Sequence, residues 1–502
     1  MGSQARQDQV RAEYFRYVMN DIPLRMIHIG TMKLVDRQFV ASYFRQTVEN
    51  LSSQELINIR VLEAVSSKSY GHRLFVREKV KYAVLSHRWR DKETSYEEMQ
   101  ANGIRDDDKL SQLCRIAKLH GIEFVWADTC CIDKSSSAEL DESIRSMFRW
   151  YRNSEICVVY LAQSGSAKEL VADEWWMRGW TLQEFLAPGK MKFYDKGWKP
   201  LTEVPNDKEK NAPLWKSIEE ASGIAYEQVR TFQPDPTNVG VRMSWAAKRK
   251  TTRDEDVAYS LMGIFNVSLQ IAYGEGKERA FIRLIEAIMQ SGDPSVLHWA
   301  GLTAAHHSSQ AIPSGPNCYV GHSQDNLGSS TVLMQQLDIA ITSQGLRVPM
   351  VVLPLVKAHP DSQKSLRFTC PLIPGATVNA AITGWSGGNH ESSTSEYALG
   401  IFTYTRLVRT INPGLFGTSL TYLLMREKSK GRAQAPETFE EFKPTNLGLS
   451  SAEESNMFYQ REWRRIMEDQ FITLDIPNAQ RFGAVAGQLF FVERKYLEIV
   501  YL

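Results

Sequence analysis

At 502 residues the chain is too long for one hydrophobic core and implies roughly two to four domains at about 150 residues each. Its 43% hydrophobic and 23% charged residues are those of a globular protein, and 59 basic against 58 acidic side chains leave a formal charge of +1, which excludes a nucleic-acid footprint. The six cysteines (Cys114, Cys130, Cys131, Cys157, Cys318 and Cys370) lack zinc-finger spacing and read as reduced thiols. No metal site is expected, and with no membrane span the reading is cytoplasmic.

From the N-terminus, Val10, Tyr14, Phe15 and Val18 recur at helical spacing, predicting a helix over 5–19 that ends at Asp21-Ile22-Pro23. Met26–Ile29 and Lys33–Val35 read as a small strand pair, with His28 a half-buried strand residue rather than a ligand, while residues 40–65 show no legible motif. Residues 1–65 therefore form an N-terminal helical and strand extension. Tyr82–Leu85 is a buried strand opening into the loop Ser86-His87-Arg88-Trp89-Arg90-Asp91, a cluster of donors, a ring and an acid. A helix begins at Asp106 with Leu110, Leu113, Cys114 and Ala117 on its apolar stripe, and Gly121 stops it. Phe124–Ala127 is a second strand, ending in the polar run Asp128–Asp133. Ser137 caps a helix whose apolar face is Leu140, Ile144, Met147, Phe148 and Tyr151. Ile156–Leu161 is a third strand, residues 175–187 a helix, and Met191–Tyr194 a fourth strand.

Short apolar strands alternating with amphipathic helices over 66–205 argue for an α/β unit, a parallel sheet with helices on both faces. Ligands of such sheets bind outside the carboxyl ends of the strands. Ser86 and Asp128 fall there, and Glu184 follows the third strand, so one crevice can gather all three. On a helix over 175–187, Trp180 and Glu184 share a face at i and i+4, which expects the carboxylate beside the indole with Arg178 just ahead. The same apolar residues would equally serve an ordinary amphipathic helix ending at Pro188-Gly189. No G-x-G-x-x-G follows a strand, and Gly274-Glu275-Gly276-Lys277 lacks P-loop spacing, so dinucleotide and P-loop folds are excluded.

Beyond 205, helical patterns at Trp215–Ala221, Asp254–Phe265 and Lys277–Gln290 describe a helical subdomain over 206–300. The basic run Arg242, Lys248, Arg249, Lys250 and Arg253 reads either as a solvated face or as a partner for pyrophosphate. From 301 to 502 the composition turns β-rich, with strand-like segments at Val332–Met334, Ile339–Thr342, Leu346–Val348, Leu366–Thr369, Leu399–Tyr404 and Leu489–Val492. Flexible turns are expected at Ser386–His390 and Lys428–Thr438. This part, sandwich-like and without a catalytic constellation, is expected to regulate or sense.

Three blocks carry a resemblance. Tyr82-Ala-Val-Leu-Ser-His-Arg-Trp89, Val125-Trp-Ala-Asp-Thr-Cys-Cys-Ile-Asp133 and Arg178-Gly-Trp-Thr-Leu-Gln-Glu184 are similar, in order, to the signature blocks of the fungal heterokaryon-incompatibility (HET) domain. Arg242–Ala246 and Ala272–Gly276 look like the region that follows it. Departures are Arg90, where glycine is usual, Ala127 for isoleucine and Lys134 for glutamine. More remotely the HET domain resembles the flavodoxin-like Toll/interleukin-1 receptor (TIR) domains, whose W-x-x-x-E spacing Trp180–Glu184 repeats. That resemblance implies an NAD-cleaving effector of programmed cell death with Glu184 as the key carboxylate. Ser86, His87, Arg88, Trp89, Asp128, Arg178 and Trp180 would bind the nucleotide, with NAD as substrate and no cofactor. It also implies a homo-oligomer on activation, while the β-rich composition of the C-terminal domain is that expected of a surface for a protein partner. The alternative is a non-enzymatic, self-associating signalling scaffold.

Overall fold

A computed structural model describes residues 3–65, 68–90, 92–104, 109–299, 301–307, 309, 311–320, 338–342, 345–358, 365–371, 377–381, 395–401, 410–411, 421–427, 464–465, 472–475, 490–491 and 497–501. They fall into two compact units, one of 1–235 with 248–280, the other of 236–247 with 281–502, so the helices expected together over 206–300 are shared between the two.

The first unit is α/β. Helix α1 (Ser3–Asn20) precedes a hairpin of β1 (Arg25–His28) and β2 (Lys33–Asp36). Val10, Tyr14 and Val18 are buried as their spacing predicts, but Phe15 stays 38% exposed. His28 is buried, not half-buried, among Phe39, Tyr43 and Phe124. Four helices unanticipated from the sequence fill the next stretch: α2 (Arg37–Tyr43), α3 (Arg45–Glu49), α4 (Ser53–Val65) and α5 (Lys68–Lys79). Asp36 caps α2 by accepting from the Phe39 N–H at 2.9 Å.

Next comes β3 (Ala83–His87), buried throughout, so Ser86 and His87 belong to the strand and the loop starts at Arg88. After it come α6 (Tyr96–Asn102), opened by a Ser95–Glu98 capping box, α7 (Lys109–Leu119) and β4 (Phe124–Trp126). Helix α8 (Ser137–Asn153) is capped by Ser136, one residue earlier than expected, and leads to β5 (Ile156–Tyr160). The helix expected over 175–187 is divided. Glu174–Met177 is a 3-10 turn, and α9 (Thr181–Leu186) starts only after Gly179, whose N–H donates to the Lys250 carbonyl at 2.8 Å while the Lys250 N–H returns to Met177 at 2.6 Å. Gly179 is required by close approach: a Cβ there would lie 2.5 Å from Thr251 Cγ2. β6 (Met191–Tyr194) closes the sheet.

The sheet runs β2-β1-β4-β3-β5-β6. β4, β3, β5 and β6 are mutually parallel, registered by Ala83↔Val125, Leu85↔Val158 and Val159↔Phe193, while β1 joins β4 antiparallel through Ile27↔Val125. Counted among themselves, the parallel strands take the order 2-1-3-4 of doubly wound flavodoxin-type sheets, whose ligand crevice opens where chain direction switches, between β3 and β5 here. The remaining described helices of this unit include Trp215–Ser222, Asp256–Tyr259 and Met262–Phe265, the last two replacing one expected helix over 254–265.

The second unit contains the helix Val239–Ala246 and, in its later part, antiparallel strands centred on the long strand Gly345–Lys357. Leu346, Val348, Met350 and Val352 are buried on one face of it, and Pro349, Leu353 and Leu355 on the other face are buried as well. Its partners are Ser395–Ile401, Leu497–Tyr501, Ser365–Thr369 and Ala340–Thr342. A separate two-stranded ribbon pairs Thr410–Ile411 with Phe490–Phe491. The expected strand Val332–Met334, residues 402–404 and both glycine- or polar-rich turns, Ser386–His390 and Lys428–Thr438, lie outside the described residues.

Candidate functional site

Ser86 and His87 end β3 and point to opposite faces, as successive strand residues must. Ser86, fully buried, donates its hydroxyl proton to Glu184 Oε2 at 2.5 Å and accepts from the Trp175 indole N–H at 2.8 Å. His87 turns the other way, its Nε2 3.3 Å from Glu93. Burial pushes the Glu93 carboxyl up, but the hydrogen bond and charge of His87, with help from Lys109 and the Arg90 N–H, more than reverse this and hold it down at about 2. His87 thus belongs to a hydrogen-bonded cluster with Glu93, which Lys109 also joins. Arg88 pairs with Glu174. Both side chains are nearly half exposed, which makes the pair worth little in stability. Trp89, 41% exposed, donates its indole N–H to Asp128 Oδ2 at 2.9 Å, and its ring lies 4.1 Å from the Lys134 ammonium and 5.9 Å from the Arg178 guanidinium. Arg90 donates to the Ala162 carbonyl at 2.9 Å and has no positive φ, so this loop does without the glycine usual in related sequences.

The block around Glu184 is built on Asp173. Its carboxylate accepts from the Ser164 hydroxyl at 2.8 Å and the Trp175 N–H at 3.0 Å, fixing the 3-10 turn that sends Trp175 and Trp176 into the core against Phe185 and Phe193. Thr181 donates to the Trp175 carbonyl at 2.5 Å, and Arg249 donates to the Arg178 carbonyl and the Thr181 hydroxyl at 2.9 and 3.1 Å. Burial pushes the Arg249 guanidinium down to about 9, against the pull of Glu184. Glu184 itself is 5% exposed. Its carboxyl is pushed up to about 8, by burial first and the Asp128 charge second, while the Ser86 hydroxyl, Arg178 and Tyr151 resist the shift. Tyr151 reaches this point from α8 and also donates to the Leu85 carbonyl at 2.9 Å.

Of the residues singled out in the sequence, Ser86, Asp128, Arg178 and Glu184 form one electrostatic cluster, with Trp89 at its exposed edge through Asp128. Trp180 is placed differently. It precedes the first turn of α9, and its indole N–H donates 2.9 Å to Asp256, which also accepts from the Tyr273 hydroxyl at 2.9 Å. The indole tied to the Ser86–Glu184 pair is that of Trp175. Tyr151, expected only on an apolar helix face, Arg249, expected only in a basic run, and Trp175 join this cluster without a local signal, because nothing in the sequence marks a tryptophan or tyrosine that turns toward a distant carboxylate. A protonated acid in this setting can donate a hydrogen bond at neutral pH. Once ionised, it is a buried negative charge suited to a cation.

Among the described residues there is no group of three or more histidine, cysteine or acidic side chains placed to hold a metal. Nor is any described helix long and apolar enough to cross a membrane. No solved structure matches the chain. The chain is 40% identical over 226 residues to "Vegetative incompatibility protein HET-E-1" of Podospora anserina, an alignment covering 41% of this chain and 16% of that protein, so the match spans about a sixth of the relative. Residues 82–173 match the family described as "Heterokaryon incompatibility protein (HET)", from Tyr82, just before β3, to Asp173, leaving the Arg178–Glu184 block just beyond it. On these matches residues 82–173 are similar to a HET domain, and the chain resembles the relative over that part of its length.

Proposed function

We propose that this chain is an effector of incompatibility-type cell death that acts by cleaving the nicotinamide–ribose bond of NAD, with Glu184 as the essential carboxylate. The incompatibility role rests on the HET domain and the relative's name. The chemical reading rests on one observation: a carboxyl held at about 8 where segments following β3, β4 and β5 converge, at the switch point of the sheet. In the reaction the C–N bond to ribose breaks and its electron pair leaves with nicotinamide, which departs neutral and needs no proton. The ribose carbon passes through an oxocarbenium-like state that ionised Glu184 stabilises or attacks. Water then adds to that carbon and releases its proton. The cationic nicotinamide ring of bound NAD would offset the burial of the carboxylate and draw its pKa down. Trp89 offers a stacking face, and Arg88 and Arg178 are cations for the phosphates. In this reading a homo-oligomer is the active form and the β-rich C-terminal part restrains it.

A specific observation favours a second reading. Glu184 is 5% exposed and one of its oxygens is occupied by Ser86, as expected of a buried tie between β3 and α9 in a non-enzymatic, self-associating scaffold. Incubating the purified chain with NAD and following free nicotinamide separates the two. Release by wild type that falls at least about a hundredfold in Glu184→Gln is expected for the enzyme. No release at any protein concentration, or release within about twofold of wild type in the variant, removes Glu184 from catalysis.

A further inference from the structure

Away from Glu184, the first unit holds a second concavity of about 620 Å³ between α5 and α8, with residues 262–268 as its third wall. That volume falls in the range of small-molecule sites. Tyr70, Arg73 and Arg77 line it from one face of α5, and Arg145, Arg149 and Arg152 from one face of α8, spacings of three, four and seven that put each set on a single stripe. By the same periodicity this stripe of α8 lies opposite the one that carries Ile144, Met147 and Tyr151, so the concavity is not part of the Glu184 cluster. Its walls are tightly set: a Cβ on Gly263 would lie 2.2 Å from Phe148 Cβ.

Five guanidinium groups share this space with too few carboxylates. Asp21, buried beneath, is divided among Arg73 at 3.2 Å, Arg16 at 3.5 Å and Arg149 at 3.7 Å. Glu142, on the lining, is taken by Arg37 at 3.0 Å, and Arg145 pairs with Asp141 at 2.6 Å. Arg77 donates to the Arg152 backbone carbonyl at 2.9 Å and Arg152 to the neutral Gln233 side chain at 2.7 Å, and among the described residues no carboxylate pairs with either. Burial first, and then the positive Arg77, hold the Arg152 guanidinium below its ordinary range. Gathering like charges in this way weakens a fold unless an anion joins them.

We propose that this arginine-lined concavity binds a small anion carrying two or more phosphate groups. Planar guanidiniums grip phosphate oxygens two at a time, so Arg77 and Arg152, with Arg73 and Arg149 shared from Asp21, suffice for two phosphates. Tyr70, 55% exposed at the rim, offers a ring face to a nucleobase.

The test is calorimetric titration of the full-length chain at about 0.15 M salt with inorganic tripolyphosphate, ATP, inositol hexakisphosphate and AMP. At least one of the first three should bind below about 100 µM, at least tenfold tighter than AMP, and weaken steeply with added salt. A preference for ATP assigns a nucleotide, a preference for inositol hexakisphosphate assigns an inositol phosphate, and equal binding assigns phosphate recognition alone; each supports the site. Arg77→Gln with Arg152→Gln should cost at least about tenfold in affinity and, by relieving repulsion, leave the ligand-free melting temperature equal or higher. Polyphosphates that bind no tighter than about 1 mM to wild type, or equally well to a folded double variant, overturn the proposal. Should the double variant fail to fold, the wild-type titration still decides. None of these readouts depends on NAD cleavage.

Discussion

Glu184→Gln is the most direct probe of the site, because it removes one ionisable oxygen at nearly constant volume while keeping an acceptor for the Ser86 hydroxyl. The folded chain holds Glu184 at about 8 against an ordinary 4.5. Between those values the unfolded chain has released this proton and the folded chain has kept it, so the folded state binds more protons and its stability falls as pH rises. The contribution is fully present below about 4.5, declines across the window, and is gone above about 8. At about 1.4 kcal/mol per pKa unit the displacement corresponds to on the order of 5 kcal/mol, part of it shared with Asp128. Glutamine has no such loss. Titrating groups away from Glu184 are common to both proteins and cancel in the difference, leaving Glu184 and the groups that sense its charge, Asp128 and Arg249 among them. The stability of Glu184→Gln relative to wild type should therefore grow by several kcal/mol from pH 5 to pH 9, in the direction of a more stable variant. For a unit of this size that corresponds to roughly 10 °C or more in the unfolding midpoint. Unfolding both full-length proteins at pH 5, 6, 7, 8 and 9 reads it directly. A gap constant to within about 1 kcal/mol would refute the reasoning, since Glu184 would then titrate like an exposed carboxyl.

The neighbours of Glu184 tune the same window. Ser86→Ala removes a donor that holds its pKa down and should move the midpoint of the pH-dependent gap above about 8, while Asp128→Asn should move it below, both read from the same unfolding series. Equal midpoints in the two variants would dissociate these groups from Glu184. Gly179→Ala places a Cβ 2.5 Å from Thr251 Cγ2 and should cost about 1–3 kcal/mol. Adding Thr251→Ser, which deletes that methyl, should recover most of the loss, and a double variant no more stable than Gly179→Ala would move the strain elsewhere. Arg88→Ala should leave unfolding within about 0.5 kcal/mol of wild type, because its ion pair is half exposed, while weakening apparent NAD affinity more than maximal rate. Loss of maximal rate at unchanged affinity would instead make Arg88 a catalytic group.

How far the sequence carried depended on whether the signal was local. Ala83–Leu85, Phe124–Trp126, Ile156–Tyr160 and Met191–Tyr194 were legible because parallel strands covered on both faces read as unbroken apolar runs, and polar chemistry at their ends marks the crevice edge. The helices between residues 37 and 79 were not. In α4, Ile57 and Val61 are 51% and 57% exposed, so its apolar residues outline no single buried face. The break at Gly179 comes from a backbone partner, Lys250, some seventy residues away in sequence, which no window of local periodicity contains. Trp180, helical in its backbone, keeps the i, i+4 relation to Glu184, whose N–H donates to its carbonyl at 3.4 Å, but its indole turns to Asp256, a partner 76 residues away that no local pattern marks.

The cost of Glu184 is itself an argument about its role. A structural tie between β3 and α9 needs only a neutral hydrogen bond, which glutamine or serine would supply without a pH-dependent penalty. This chain instead places an acid among Trp175, Tyr151 and Ser86, beside a second acid, Asp128, where burial and repulsion both oppose its charge. Arg178 and Arg249 lie close enough to favour that charge yet do not offset the burial. Such a carboxyl is poised: neutral in the empty site, and ionised when a positive group enters and supplies the missing countercharge. Nicotinamide joined to ribose carries that charge and loses it on leaving, so binding would create the reactive carboxylate and bond cleavage would restore the neutral acid. For the free protein the consequence is a kcat/KM that is half-maximal near pH 8 and levels off only above it, while kcat, reporting the bound state, would level off at lower pH. Coincident profiles for the two would show that the ligand does not change the ionisation of Glu184 and would return it to the role of a buried tie.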